Sequence, residues 1–312
     1  MWKLALRRLA LSIPLALIAS LISFVLMAFL PGDAARALLG PNATADQITA
    51  LRQELGLDRP LWEQYVSWLS GAVQGDLGAS LISRQPVVEI LNGRLAPSLS
   101  LIIGATLVAS LLGVVLGVIG ARRGRAGALV DSGSLLALAV PDFWLGLVLV
   151  VVFAVNLGWL PPTGYVPLAD NPVGWATSLV LPVVTLSLPA MARIAKQTRD
   201  AMSDALNRPF VRTLRAAAVS ERSITYRHAL RNAAVPILTV IGLVFIGALG
   251  GTVAVESIFA IPGLGSTAVS ATASRDLPLI QGVVVYFTLI VIVVNLAVDL
   301  AYGYVNPRVR TR

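Results

Sequence analysis

The chain has 312 residues, of which 56% are hydrophobic and 13% charged, with a mean hydropathy of +0.81 and a formal net charge of +8. A soluble domain carries roughly twice that charged fraction, so composition alone places the chain in a membrane. With no cysteine and only one histidine, His228, it has no disulfide, thiolate nucleophile, cysteine-ligated metal or H-E-x-x-H zinc pair.

A bilayer core of about 30 Å needs about 20 apolar helical residues, because lipid offers no partner to backbone N–H and C=O groups. Charge-free windows at Leu9–Gly32, Leu95–Ala121, Phe143–Ala169, Asn171–Ala192 and Asn232–Val255 meet that length, and a sixth, Leu277–Val298, lies between Asp276 and Asp299. They predict an all-α integral membrane protein of six transmembrane helices, the third starting near Ser134 and enclosing Asp142. The first window is longer than the roughly 7–15-residue core of a signal peptide, and it reads as a retained span.

After that span, residues 31–97 form a long polar segment with helix punctuation. Thr44 and Gln47 make a capping box, and Gly56 stops that helix after Leu55. Pro60 suits the first turn of a second helix with Leu61, Tyr65, Trp68 or Leu69, and Val73 on one face. The segment is expected to be a small external helical subdomain that docks a partner or gates the pore.

The second span carries Gly113-x-x-x-Gly117 and the fifth Gly247-x-x-x-Gly251, spacings that permit close helix contact. Pro141 in the third span and Pro182 and Pro189 in the fourth favour kinks. Asp142 falls eight residues into the third span, where a carboxylate faces a bundle interior or water. Three readings of it stay open: a pathway residue, a partner for an arginine of another helix, or a position nearer the interface.

Residues 193–235 are rich in arginine. Met191, Ile194 or Ala195, Thr198, Met202 and Ala205 form an apolar stripe ending before Pro209. A short helix is expected next, with Phe210, Leu214 and Ala217 on one face and Arg212 and Arg215 on the other. Ser220 then caps a third helix carrying Glu221, Ile224, Arg227, His228 and Arg231. A helical loop of this size is more than a connector. Asp299, with Asn295 one turn earlier, is expected to pair locally.

Six spans place both termini on one side. With that side cytoplasmic, 18 of the 24 basic residues fall inside, among them Arg122, Arg123 and Arg308, as the positive-inside bias requires. The positive charge is therefore spent on topology and anionic lipid rather than nucleic acid. Lys3 and Lys196 are the only lysines and neither follows a glycine. No Gly-Lys-Ser/Thr phosphate loop exists in the chain, so an ATP-driven motor would be another polypeptide.

The segment Phe210-Val211-Arg212-Thr213-Leu214-Arg215-Ala216-Ala217-Ala218-Val219-Ser220-Glu221-Arg222 resembles the coupling loop of ABC importer permeases. Its continuation Tyr226 to Pro236 resembles the dipeptide and oligopeptide branch. So do Val255-Glu256-Ser257-Ile258-Phe259, Pro262-Gly263-Leu264-Gly265, Arg275 to Gly282, Leu30-Pro31-Gly32-Asp33, Leu55 to Pro60 and Asn306-Pro307-Arg308. The resemblance covers essentially the whole chain. It departs at Ala218, where the family usually has glycine; alanine there implies an ordinary backbone turn or a helix that runs further.

The resemblance implies a type I ABC importer permease of the bacterial cytoplasmic membrane, in which residues 98–312 are the permease core. Expected partners are a second homologous permease, two P-loop ATPases holding ATP and Mg, and an extracytoplasmic substrate-binding protein that delivers peptide. The chain itself is expected to be a pore subunit with no catalytic residue, metal or cofactor. Phe210, Arg212, Thr213, Leu214, Arg215, Ala218, Ser220, Glu221, Arg222 and Arg231 are the coupling residues so implied. Asp142, Glu256, Phe259, Pro262, Gly263 and Gly265 are pathway or gating candidates. The same branch handles nickel chelates, glutathione and haem; a stand-alone secondary transporter, with Asp142 and Pro141 at its centre, is the reading from a different class.

Overall fold

A computed structural model describes residues 2–29, 33–40, 42–121 and 125–305. Leu30-Pro31-Gly32, Arg122, Arg123 and the closing Asn306-Pro307-Arg308 lie outside the described residues. The described elements are helical: α1 (Trp2–Phe29), α2 (Ala34–Leu39), α3 (Ala45–Glu54), α4 (Leu61–Val73), α5 (Val87–Gly120), α6 (Arg125–Ala139), α7 (Asp142–Leu149), α8 (Pro172–Leu206), α9 (Pro209–Ala216), α10 (Glu221–Ser223), α11 (Leu230–Ile258), α12 (Leu264–Ser274) and α13 (Leu277–Val305). π-helical turns extend α7 over Val150–Asn156 and join α10 to α11 over Ile224–Ala229. Among the described residues five helical stretches are long and apolar enough to cross a membrane, and a pair bent at a break, counted as one span, brings the number to six. The chain divides into two compact units, one of Pro97–Ile261 with Val293–Arg312, the other of Lys3–Ala96 with Pro262–Ile292.

In the second of these units the polar segment after α1 follows its local signals. Thr44 accepts the Gln47 N–H while Gln47 Oε1 accepts the Thr44 N–H, a reciprocal capping box. Gly56 closes α3 at φ +67°, with Gly56 N–H donating to Gln53 O and Leu57 N–H to Arg52 O, a Schellman turn that needs the left-handed region glycine supplies. Pro60 sits one residue earlier than expected, at the N-cap of α4. The packed face of α4 also differs: Tyr65 meets Phe24 edge-on at 5.4 Å and Trp68 joins the cluster around Leu77, Val87 and Leu91, whereas Leu61 and Val73 are exposed. Short α2 was not foreseen, although Asp33, which caps Ala35 N–H, and Gly40 at φ +82° delimit it.

Arg52 ties α3 to its surroundings by donating to Asp33 Oδ2 at 2.8 Å and Asp58 Oδ1 at 3.0 Å. Partial burial works to raise the Asp33 carboxyl, but the Arg52 hydrogen bond and charge, with the Ala35 and Arg36 N–H groups, outweigh it and hold the pKa below the ordinary carboxylate value. A depressed folded pKa contributes stability above the unfolded value that is lost as pH falls through the folded one. We therefore expect the protection of α2 and α3 amides, relative to the unfolded chain at the same pH, to weaken below about pH 4, by under about 1 kcal/mol because the pair is partly solvated. Asp33→Asn should abolish that pH dependence; an unaltered profile in the variant would assign it elsewhere.

Helix α12 lies where the sequence offered only a motif. Gly263 N–H donates to Ser266 Oγ at its start, and Arg275 closes it in the left-handed region at φ 58°. The next residue, Asp276, is buried and accepts from the Ser80 hydroxyl, from Leu81 N–H at 3.1 Å and from Leu279 N–H at 3.4 Å. What bounded the sixth apolar window is thus a buried anchor between α12 and α13.

In the other unit α8 is the spine. Helix α5 lies directly on it: a Cβ at Gly113 would come 2.9 Å from the Ile194 side chain and the Met191 carbonyl, and one at Gly117 2.6 Å from the Ala195 carbonyl. The stripe Ile194, Ala195, Thr198, Met202 and Ala205 is buried as its spacing requires. It belongs, however, to the last turns of a 35-residue α8 that is continuous with the fourth span, not to a separate loop helix. Likewise the helix expected after Ser220 runs straight into the fifth span, because nothing between Glu221 and Leu230 interrupts the backbone ladder except a π-turn. The second span begins at Val87, inside the segment read as external.

The third span departs most. Instead of one helix from Ser134 through Asp142, α6 ends at Ala139 and α7 starts at Asp142, and the two are bent by 92°. Pro141, at φ −65° and ψ 137°, is the N-cap of α7; it lacks an N–H and disfavours helical geometry in Val140 before it. Residues beyond Asn156 in that window are not helical. Asp142 is therefore the first residue of a helix rather than a mid-helix carboxylate.

Candidate functional site

Helix α9 occupies eight residues between Arg208 and Ala217, with Pro209 in its first turn. Val211 is fully buried and anchors it, while Phe210 and Leu214 are half-buried one turn apart. Arg212, Thr213 and Arg215 stay exposed. The expected apolar face is therefore centred on Val211, which the pairing of Phe210 with Leu214 did not reveal.

The turn after α9 settles the alanine question differently from either expected outcome. Ala218 N–H donates to Arg215 O and Val219 N–H to Leu214 O, a Schellman closure, with Ala218 itself at φ 53°. Alanine is thus held where a glycine would be free of strain. Ala218→Gly should relieve roughly 1–2 kcal/mol of left-handed strain against roughly 0.5–1 kcal/mol of added backbone entropy cost, a net stabilisation read as slower amide exchange at Val219; equal or faster exchange would contradict it.

Ser220 Oγ then accepts the Ser223 N–H, starting the next helix. Glu221 folds back on Arg215, accepting from Nε at 2.6 Å and from Nη2 at 3.1 Å. Those hydrogen bonds and the opposite charge raise the Arg215 guanidinium above its ordinary pKa. Among the described residues Arg212 and Arg222 form no ion pair. All four, with Asn207 and Tyr226, line a cavity of about 830 Å³. The result is a small exposed helix beside a basic hollow. Arg231 is exposed one further helical stretch away.

The pathway candidates occupy other surroundings. Glu256 is fully buried and accepts the Ser98 hydroxyl at 2.7 Å. Phe259 is buried with its ring 3.3 Å from where a Gly146 Cβ would stand, and its carbonyl accepts the Gly164 N–H at 2.8 Å. Both therefore pack the interior of their unit. In the other unit Gly263 and Gly265 are buried at the start of α12, and Pro262 is half-buried. Asp142 is half-buried and lines a separate cavity with Arg193, a residue that sequence spacing could not connect to it across 50 positions.

A helical membrane subunit with an exposed basic helix between its fourth and fifth spans has the organisation of a transporter permease. The profile of the family described as binding-protein-dependent transport system inner membrane component matches residues 113–311, and that family's N-terminal profile matches residues 1–102. The chain is 40% identical over 312 residues, 99% of both chains, to a Brucella abortus protein named "Putative peptide transport system permease protein". It is 39% identical, over 98% of both, to "Probable peptide ABC transporter permease protein y4tP" of Sinorhizobium fredii. It is 40% identical to "Glutathione transport system permease protein GsiC" of Escherichia coli K12, over 96% of this chain and 95% of that one. The chain belongs to the binding-protein-dependent transport system inner membrane component family. It has the type I ABC importer permease fold and is a pore subunit of the bacterial inner membrane.

Proposed function

We propose that this chain is one of two permeases of an ATP-driven peptide importer, with its N- and C-termini cytoplasmic. Two P-loop ATPases carrying ATP and Mg dock beneath it, and an extracytoplasmic binding protein delivers the substrate. The observation that carries the reading is α9: an eight-residue helix, exposed and basic, closed by a Schellman turn and braced by Arg215 and Glu221. Such a rigid projection can transmit a rigid-body movement between subunits. Phe210, Arg212, Thr213, Leu214, Arg215, Ala218, Ser220, Glu221, Arg222 and Arg231 make up that coupling surface. Glu256, Phe259, Pro262, Gly263 and Gly265 hold the structures that gate the pathway.

The domain reading follows the same lines: residues 1–30 anchor the chain, 31–97 hold the external subdomain together with the first turns of α5, and 98–312 are the permease core containing the coupling segment 193–235. Peptides are the favoured substrates because relatives with full-length coverage carry that description, and glutathione, itself a modified tripeptide, lies within the same class. Gentle-detergent purification from the native membrane, with mass identification and stoichiometry, tests the assembly. Two ATPase chains and a second permease are the expected companions. Recovery of this chain alone after cross-linking would overturn the proposal.

A further inference from the structure

The break in the third span opens a cavity of about 400 Å³ whose lining contains two charged residues, Asp142 and Arg193. Its walls come from the end of α6, the start of α7, Pro189 of α8 and Gly251 of α11. At the break, α6 has carbonyls and α7 has N–H groups with no intrahelical partner, so the wall is polar on both sides of Pro141. Pro189 adds to this, since it cannot pair the Thr185 carbonyl one turn back.

Asp142 makes no hydrogen bond or ion pair among the described residues, and α7 has no side-chain cap bond to occupy it. Arg193 likewise forms none. Asp142 is half-buried and Arg193 exposed, so the carboxylate is the group that gains most from a charged partner in the cavity, and the guanidinium supplies the opposite charge at its open side. Gly251 stands beside the carboxylate, where a Cβ would lie in ordinary contact 3.8 Å from Asp142 Oδ2. The volume equals about a dozen waters at ~30 Å³ each and falls within the roughly 300–1,000 Å³ of small-ligand pockets.

We propose that this cavity is a transit site for a zwitterionic peptide, with Asp142 receiving the α-ammonium and Arg193 the α-carboxylate. The inference rests on the importer reading above and adds which groups meet the substrate. An acid and a base lining one cavity select a ligand by its two termini, whatever its side chains, which suits a permease served by a separate binding protein. The charge-assisted hydrogen bonds would be formed and broken in each passage.

The test uses the complete transporter with its partner subunits in nanodiscs, nucleotide-free and without binding protein, and radiolabelled Ala-Ala as probe. Wild type should bind it, and Asp142→Asn and Arg193→Gln should each weaken binding by about tenfold or more. N-acetyl-Ala-Ala should compete about tenfold less well than Ala-Ala on wild type but equally well on the Asp142→Asn complex. Ala-Ala amide should show the same relation with Arg193→Gln. No binding of Ala-Ala by wild type overturns the site, as do variants that bind it normally or lose all three peptides alike. In each of those cases, persisting stimulation of ATP hydrolysis by the binding protein leaves the importer reading standing. If wild type shows no such stimulation, the importer reading itself falls.

Discussion

Arg212→Glu should leave the assembled complex in the membrane and reduce both binding-protein-stimulated ATP hydrolysis and uptake by at least about tenfold. Reversing a charge at a docked helix replaces attraction by repulsion, and truncating or opposing such groups typically costs about 2–5 kcal/mol. Arg212 is suited to this because it is exposed on α9 and forms no ion pair among the described residues. Arg215 is different, since Glu221 already holds it by two hydrogen bonds. Arg215→Glu alone should also depress transport, by placing two carboxylates side by side and loosening the turn. The double variant Arg215→Glu with Glu221→Arg should recover most of the activity, because it rebuilds the brace with reversed polarity. Failure of the swap to rescue, with the complex intact, would make Arg215 a direct contact; wild-type activity in Arg212→Glu would remove α9 from coupling.

Gly117→Val should abolish a monodisperse folded chain in detergent, whereas Gly247→Ala should leave it intact. The reason is the distance between helices. A Cβ at Gly117 would overlap Thr198 and stand 2.6 Å from the Ala195 carbonyl, and backbone cannot move aside as a flexible side chain can. Overpacking in a close-packed interior costs about 1–3 kcal/mol and more when backbone must shift, and Thr198 lies on the fully buried stripe of α8. Around Gly247, by contrast, nothing lies within 4 Å of the added atom. Fluorescence-detected size exclusion and thermal unfolding of the purified variants decide the matter: equal behaviour of the two would mean that α5 and α8 can separate without penalty.

The two glycine motifs illustrate how far a spacing can be read. Gly113 and Gly117 both face α8, as small residues four apart should. Of Gly247 and Gly251, only Gly251 meets a neighbouring helix, with a prospective Cβ 2.9 Å from Leu186 Cδ1. Identical patterns thus had different outcomes, since the pattern states which residues are small but not which face has a partner.

What the sequence alone determined was local: the apolar lengths that define most spans, the capping box at Thr44, the stop at Gly56, the short helix after Pro209 and the cap at Ser220. These depend on backbone hydrogen bonds closed within a few residues, so neighbouring residues suffice to specify them. The segment proposed to couple was readable as a motif for the same reason, as a run of contiguous residues. Only the tertiary structure decided that α8 and α11 carry the spans into that segment without interruption, that Ala218 adopts the left-handed region, and that the third span breaks at Pro141 by 92°. It alone joined Arg193 to the cavity of Asp142, and Asp276 to Ser80 and Leu81. The meeting of Arg193 with the Asp142 cavity and of Asp276 with Ser80 and Leu81 depends on atoms far apart along the chain, while at Ala218 and Pro141 the surrounding fold holds a local strain or a broken hydrogen-bond ladder whose cost a short stretch of sequence cannot weigh.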